Sequence, residues 1–222
     1  MIPRAHITAW RSRAPWPLDS QVEQDLVLSR ALAEIFSRPL LVRGLAFRGG
    51  TALHKLYVKL LYRFHTTALP VERMRLKIEI NTREHFNVYG LVHKHFRVKN
   101  PWYDGKVDIT SYNLEELLAT KLRALYQRKK GRDLYDLWLA LSTLTVDEEA
   151  VAACFAKYLE HSRLRVARAE FEANLDEKLN STAFRVDVQP LLRDGAAYDV
   201  DVAAALIQER LLSRLSDSSK GL

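Results

Sequence analysis

The chain has 222 residues, 34 Lys+Arg against 27 Asp+Glu for a formal net charge of +7, and 48% hydrophobic residues. That composition is that of a folded globular protein, which excludes wholesale disorder, and the length suits one large domain or two modest ones. The single cysteine, Cys154, excludes a disulfide framework and a Cys-rich zinc site; with no long apolar run and no h-region beside Arg4, Arg11 and Arg13, the chain reads as soluble and cytoplasmic, with no membrane contact.

Residues 1–142 carry a net +11 and residues 143–222 a net −4. The basic front suits a polyanionic ligand, nucleic acid or nucleotide phosphates, although charge alone is equally compatible with a basic surface that has no such partner. In chain order, Asp19 or Ser20 can cap a helix running to about Ser37, with Val22, Leu26, Leu32, Ile35 and Phe36 apolar and Pro39 as its stop signal. Residues 40–47 read as a buried strand ending at Gly49-Gly50, and residues 51–58 as a helix. A hairpin is expected over 59–82, where Met74, Leu76, Ile78 and Ile80 alternate with Arg75, Lys77, Glu79 and Asn81. Shorter strands are expected at 86–92, 95–98 and 106–110.

From Asn113 the pattern turns helical. Asn113 and Glu116 have capping-box spacing for a helix reaching about Lys130; Gly131 breaks it, and Arg132 opens another carrying Leu134, Leu137, Trp138 and Leu141. Two or three further helices fill 147–180 and 200–215. The expected organisation is an N-terminal arm over 1–19, an α+β core over 20–111 and a C-terminal helical domain over 112–222.

Three groupings could carry chemistry. In Phe47-Arg48-Gly49-Gly50-Thr51-Ala52-Leu53-His54-Lys55 a strand ends in two glycines and opens a helix. Backbone N–H groups and the positive helix end can then approach a phosphate, with the Thr51 hydroxyl and the Lys55 ammonium nearby. The spacing is not that of a Walker A loop, and a plain strand-to-helix turn is the competing reading. Glu79, on the polar face of its strand, is a carboxylate of the kind that suits Mg²⁺ beside phosphates, and taken alone it is an ordinary solvent-facing glutamate. Six of the twelve residues from Lys121 to Arg132 are basic and none is acidic. Lys121 falls inside the apolar stripe of Leu114, Leu117, Leu118 and Leu125, so it must snorkel or meet an anion: Asp133 as an ion-pair partner, or a nucleotide phosphate. Arg128, Lys129 and Lys130 form a basic edge able to follow an RNA backbone. Trp10, Trp16 and the arginines near them could instead dock onto another chain.

Taken together, these residues resemble the AbiEii-type nucleotidyltransferase toxins, a branch of the polymerase-β-like superfamily found in toxin–antitoxin systems. The likeness runs from about Leu45 to Leu141. It rests on Phe47-Arg48-Gly49-Gly50-Thr51-Ala52-Leu53-x-Lys55, on Leu76-Lys77-Ile78-Glu79-Ile80-Asn81, and on Lys121-Leu122-x-Ala124-Leu125 with Arg132-Asp133-Leu134-Tyr135-Asp136-Leu137. The resemblance implies a polymerase-β-like nucleotidyltransferase core, a mixed sheet with flanking helices, followed by the helical domain. It implies nucleotide binding by Gly49, Gly50, Thr51, Lys55, Arg132 and Asp136, with Glu79, Lys121 and Asp133 as catalytic residues and Glu79 as a metal ligand. The implied reaction moves a nucleoside monophosphate from an NTP to RNA, often a tRNA end, with Mg²⁺ as cofactor. The implied protein partner is an antitoxin of the transcriptional-regulator type.

One element of the family pattern is absent. The Asp-x-Asp metal pair that follows the Gly-Gly-Thr helix has no counterpart, because no aspartate lies between Asp25 and Asp104, and Asp199-Val200-Asp201 reads as a helix cap. The alternative function is a catalytically silent nucleotide- or RNA-binding protein. The helix over 51–58 also meets strand-like 59–64 with no Gly, Pro, Asn, Asp or Ser to turn the chain. That junction predicts that the natural protein carries a further segment between about Tyr57 and Leu60 bearing the pair. Intact mass spectrometry checks it: a mass above 25.6 kDa is expected, and 25.6 kDa itself refutes the segment and favours the silent binder.

Overall fold

Two apolar cores organise the chain, each built by residues whose spacing matches the element that carries them. The computed structural model describes residues 2–14, 18–49, 52, 55–56, 86–189, 192 and 197–217. The first core joins α1 (Arg4–Trp10) and α2 (Asp19–Phe36) to a hairpin of β1 (Leu91–Asn100) and β2 (Tyr103–Tyr112). Val22, Leu26, Ala33 and Phe36 line the buried side of α2 at helical spacing, and Phe96, Val98 and Ile109 meet them from the inner face of the hairpin. Trp10 is only 4% exposed, and its indole N–H donates to Asp25 Oδ1 at 2.8 Å. Helix α1 is therefore packed into the fold, and Trp10 is not presented for docking to another chain; Trp16 lies outside the described residues.

Several expected elements are redrawn. No side chain caps α2, whose N-cap is Leu18; Asp19 stands in the first turn and pairs with Arg11 and, at 3.6 Å, with Arg4. The strand expected over 40–47 is instead the helix α3 (Pro39–Gly44). Pro39 does not stop a helix but opens one, because at the first helical turn its fixed φ is already suitable and its missing N–H leaves no bond unmade. Leu40 is 84% exposed, so this apolar run does not form a buried strand. Phe47 alone joins the sheet, through a parallel bridge to Ser111. Its N–H donates to the Thr110 carbonyl at 2.7 Å and its own carbonyl accepts from Ser111 Oγ at 2.6 Å.

The short strands expected at 95–98 and 106–110 are parts of one ten-residue antiparallel pair, in register from Leu91↔Tyr112 to Asn100↔Tyr103. Residues 86–90 bend rather than pair, ending at Gly90 with φ +80. At the hairpin turn the Asn100 side-chain carbonyl accepts the Trp102 N–H at 2.9 Å, an Asx-type arrangement that closes the loop. The hairpin expected over 59–82 lies outside the described residues. Chemically this is a mixed α/β chain: among the described residues, helices surround a two-stranded sheet.

The second core is helical. It joins α4 (Leu114–Gln127), α5 (Gly131–Thr143), α6 (Glu148–His161), α7 (Arg168–Leu179), α8 (Thr182–Val186) and α9 (Val200–Arg210). Leu122 and Leu125 of α4, Leu134 and Leu137 of α5, Phe155 of α6 and Phe171 of α7 are all fully or almost fully buried there. Asn113 caps α4 as its sequence predicts, accepting the Glu116 N–H at 2.8 Å, an interaction worth about 1 kcal/mol. The reciprocal arm of the capping box is diverted, because the Glu116 carboxylate is turned inward to other donors. Asp199 caps α9, accepting from the N–H groups of Asp201 and Val202 at 2.8 and 3.0 Å. Buried Lys178 of α7 donates to the carbonyls of Leu125 and Tyr126 at the end of α4, and to Asn174 Oδ1 at 2.6 Å. Among the described residues no helix is long and apolar enough to cross a membrane.

Helix α4 ends at Gln127, short of Lys130, because Arg128 is extended (φ −133°, ψ 156°). Helix α5 then opens on Gly131 itself, where a Cβ would lie 2.2 Å from the Phe184 carbonyl oxygen of α8. Gly131 is thus a close-approach residue, and only a backbone shift would admit a side chain. Gly131→Ala is expected to destabilise the protein by about 2–3 kcal/mol and to lower Tm by roughly 5–10 °C in a circular-dichroism melt. An unchanged Tm would show that α8 is not held against this turn.

Candidate active site

The motif at the start of α5 is built around Lys121. Its position inside the apolar stripe of α4 leaves it 7% exposed, and its Nζ lies 2.9 Å from Asp133 Oδ1 and 2.6 Å from Asp136 Oδ2. Asp133 and Asp136 are three residues apart on α5, which stacks both carboxylates on one face of the helix. They are 0% and 5% exposed. Arg128 grips Asp133 with two prongs, Nε to Oδ2 at 2.6 Å and Nη2 to Oδ1 at 2.7 Å. Burial pulls the Lys121 ammonium down, but Asp136 and Asp133 together outweigh it and hold it above the ordinary lysine range. The hydrogen bond to Asp133 likewise holds the Arg128 guanidinium up. Of the two sequence readings for Lys121, the ion pair with Asp133 is the one observed, with Asp136 as a second partner.

The basic edge that follows is laced with acids. Lys129 lies 3.9 Å from Glu177, and Lys130 3.8 Å from Asp187. Arg132 donates to Asp187 from its backbone N–H at 3.2 Å and from Nε at 3.1 Å. Arg128, Lys129 and Lys130 are exposed, so their charges remain at the surface although each has a carboxylate partner.

On the other side of β2, the Phe47 bridge fixes where the glycine run begins. Gly49 adopts φ +86, a region that glycine occupies without steric penalty. Gly50 and Thr51 lie outside the described residues, as does Glu79. Ala52, Lys55 and Leu56 are helical, and Ala52 is fully buried with Tyr112 and Leu117 in a small separate apolar cluster against which Phe47 and Leu56 pack. Lys55 turns toward α2: its Nζ lies 2.6 Å from Asp25 Oδ2 and 2.9 Å from Ser29 Oγ. Asp25 was not singled out from the sequence, yet the signal was there. It sits on the same buried side of α2 as Val22, Leu26 and Ser29, and an acid inside an apolar stripe requires a partner just as Lys121 does.

A second polar group is centred on Glu116, which is fully buried and accepts from the N–H groups of Val88 and Tyr89 at 2.8 and 3.0 Å and from the Tyr158 hydroxyl at 2.7 Å. Burial, and then this bond, push the Tyr158 hydroxyl well above the ordinary tyrosine range. Arg123 lies over the Tyr158 ring at 4.9 Å and Arg48, beside Gly49, over the Tyr112 ring at 5.2 Å. No sequence signal marks these partners, because Glu116 reads as a cap and its donors come from distant segments. Burial pushes the Cys154 thiol up to about 12, so it is no nucleophile.

Among the described residues no group of three His, Cys, Asp or Glu side chains is placed to hold a metal ion. Asp133 and Asp136 are already neutralised by Lys121 and Arg128, while Asp199 caps α9 and Asp201 pairs with Arg185. These four aspartates are thus already committed to partners within the chain.

A family model described as Nucleotidyl transferase AbiEii toxin, Type IV TA system, matches residues 58–206. The matched span includes Glu79, Lys121, Arg132, Asp133 and Asp136, and it begins after the Gly49-Gly50-Thr51 run. No curated protein and no solved structure matches the chain.

This geometry sets what Lys121→Ala should do. A lone stripe lysine would be replaced at little expense, but here removal takes an ammonium away from two buried carboxylates, of which Asp133 keeps Arg128. Lys121→Ala is expected to destabilise by about 3–5 kcal/mol, measured by urea unfolding. Lys121→Met combined with Asp136→Leu should recover part of that loss, since it also removes one of the carboxylates that faced the ammonium. A Lys121→Ala protein as stable as wild type would show that the buried pair contributes nothing.

Proposed function

The chain belongs to the AbiEii nucleotidyl transferase toxin family of type IV toxin–antitoxin systems, and on that footing we propose that it transfers a nucleoside monophosphate from an NTP to an acceptor hydroxyl on RNA, with a tRNA end as the acceptor. The observation that carries the proposal is the family match over residues 58–206, a span that contains Glu79, Lys121 and Asp133. In this reading a polymerase-β-like core over 20–111 and a helical domain over 112–222 share the site. Gly49, Gly50 and Thr51 receive the nucleotide phosphates through backbone N–H groups, and the φ of +86 at Gly49 supports that role. Lys55 steadies the loop from its anchorage on Asp25 and comes to the phosphates only if that pair opens.

Glu79 is the proposed catalytic carboxylate and metal ligand; Mg²⁺ held there would supply charge neutralisation for the phosphates. Lys121 and Asp133, with Arg132 and Asp136, position the nucleotide, and Arg128 ties Asp133 to the edge of the site. Lys129 and Lys130 follow the RNA backbone, and with Arg128 they make up the proposed RNA edge. Their ion pairs, at 3.8–3.9 Å and made by exposed lysines, are of a kind that contributes little in water and yields readily to phosphate. An antitoxin is the protein partner that membership of a toxin–antitoxin family implies; that it is of the transcriptional-regulator type is part of the proposal.

A second reading has its own observation. No aspartate lies between Asp25 and Asp104, and Asp199 and Asp201 are used in a cap and an ion pair. A chain without the metal pair would be a catalytically silent binder of nucleotide or RNA. Incubation with each labelled NTP, total RNA and Mg²⁺ distinguishes the two. Label joined to RNA is the expected result. Saturable NTP or RNA binding with no transfer would establish the silent binder, and neither binding nor transfer would overturn both readings.

A further inference from the structure

An open groove of about 400 Å³ lies between the bend over 86–90 and the last turns of α6, lined by Phe86, Asn87, Val88, Lys157, Glu160 and His161. That volume is within the range of small-ligand sites. Its aromatic side is a stack that runs out from the core. The Tyr158 and Phe86 rings are 4.7 Å apart at 40°, and the Phe86 and His161 rings 4.0 Å apart at 35°. The stack is fixed from below, because Glu116 holds the Tyr158 hydroxyl together with the N–H groups of Val88 and Tyr89. The wall and floor of the groove are thus tied to one buried carboxylate. Asn87, Lys157, Glu160 and His161 are exposed around it.

We propose that this groove binds one unpaired nucleotide of the RNA acceptor, its base continuing the Tyr158–Phe86–His161 stack; the assignment rests on the RNA-modifying reading above. Each lining group has a use toward such a ligand. A planar base extends an aromatic stack whatever its identity. Lys157 supplies the charge for the adjoining phosphate. Asn87 offers both a donor and an acceptor to a base edge, and Glu160 accepts from an exocyclic amine. Adenine, cytosine and guanine carry such an amine and uracil does not, so Glu160 selects against uracil. The outer face of the hairpin is a poorer candidate, since it pairs His95 with Asp108 at 3.2 Å and Arg97 with Asp104 at 3.5 Å.

Fluorescence anisotropy of the full chain with labelled octamers of adenylate, cytidylate and uridylate, without NTP, tests the assignment. The adenylate and cytidylate strands are expected to bind at least about fivefold tighter than uridylate, and Glu160→Ala should erase that gap. His161→Ala should weaken all three by roughly tenfold, and Lys157→Ala should reduce the slope of log affinity against log salt by about 0.7. Ultraviolet crosslinking of the wild-type chain to the adenylate strand should place the adduct on the peptide holding Phe86 or His161. Unchanged affinity in both Lys157→Ala and His161→Ala, or an adduct confined to other peptides, overturns the groove. So does an absence of RNA binding by the folded wild-type chain, whatever the transfer assay gives. Groove-dependent binding without label transfer instead removes the catalytic reading and leaves the groove standing.

Discussion

The helical half of this protein depends on where a single ammonium is buried. Lys121 carries its charge into the apolar stripe of α4, and the desolvation this entails is offset only because α5 presents Asp133 and Asp136 to it. The short connection from Arg128 to Lys130 joins the two helices, and Arg128 clasps the same Asp133 from the outside. The network fixes which turn of α5 meets which turn of α4, since sliding either helix by a turn would leave buried charges unpaired. Its contribution is therefore chiefly to the register of packing, which apolar side chains such as Leu122 and Leu134 specify far less sharply.

The same device recurs in the N-terminal half with the signs exchanged. Asp25 is the buried acid on α2, and Lys55 arrives from the helix that follows the glycine run. Trp10 and Ser29 supply further hydrogen bonds to this cluster, so α1, α2 and the post-glycine helix converge on one carboxylate. Through Ala52, Tyr112 and Leu117 that helix also touches the start of α4. The loop at Gly49 thus follows Phe47, which is bonded to β2, and precedes the helix tied to Asp25 by Lys55.

Elements with a clear period were legible in the sequence. The apolar repeats of α2, α4 and α5 gave their extents to within a few residues, and the caps at Asn113 and Asp199 were visible because capping residues act on the next turn of their own chain. Position 40–47 was misread because an apolar run without alternation fits strand or helix, and the decisive signal, Pro39 at the first helical turn, reads equally as a stop. For the site, Lys121 was legible from its place on the helical wheel and Asp133 as its ion-pair partner, whereas the second partner, Asp136, was not foreseen. Glu116 was not, since its donors at Val88, Tyr89 and Tyr158 are brought to it by the fold. Gly50, Thr51 and Glu79 lie outside the described residues, so their roles stay with the family resemblance.

The end of α4 is completed by a residue synthesised much later. Its last carbonyls, at Leu125 and Tyr126, receive the ammonium of Lys178, 53 and 52 positions downstream. The acids that accompany the basic edge, Glu177 and Asp187, come from the same late stretch. On the ribosome, α4 and the run from Arg128 to Arg132 therefore emerge well before these partners. Until α7 and the residue after α8 have been made, these carbonyls, Lys129 and Lys130 lack the partners they hold in the folded chain.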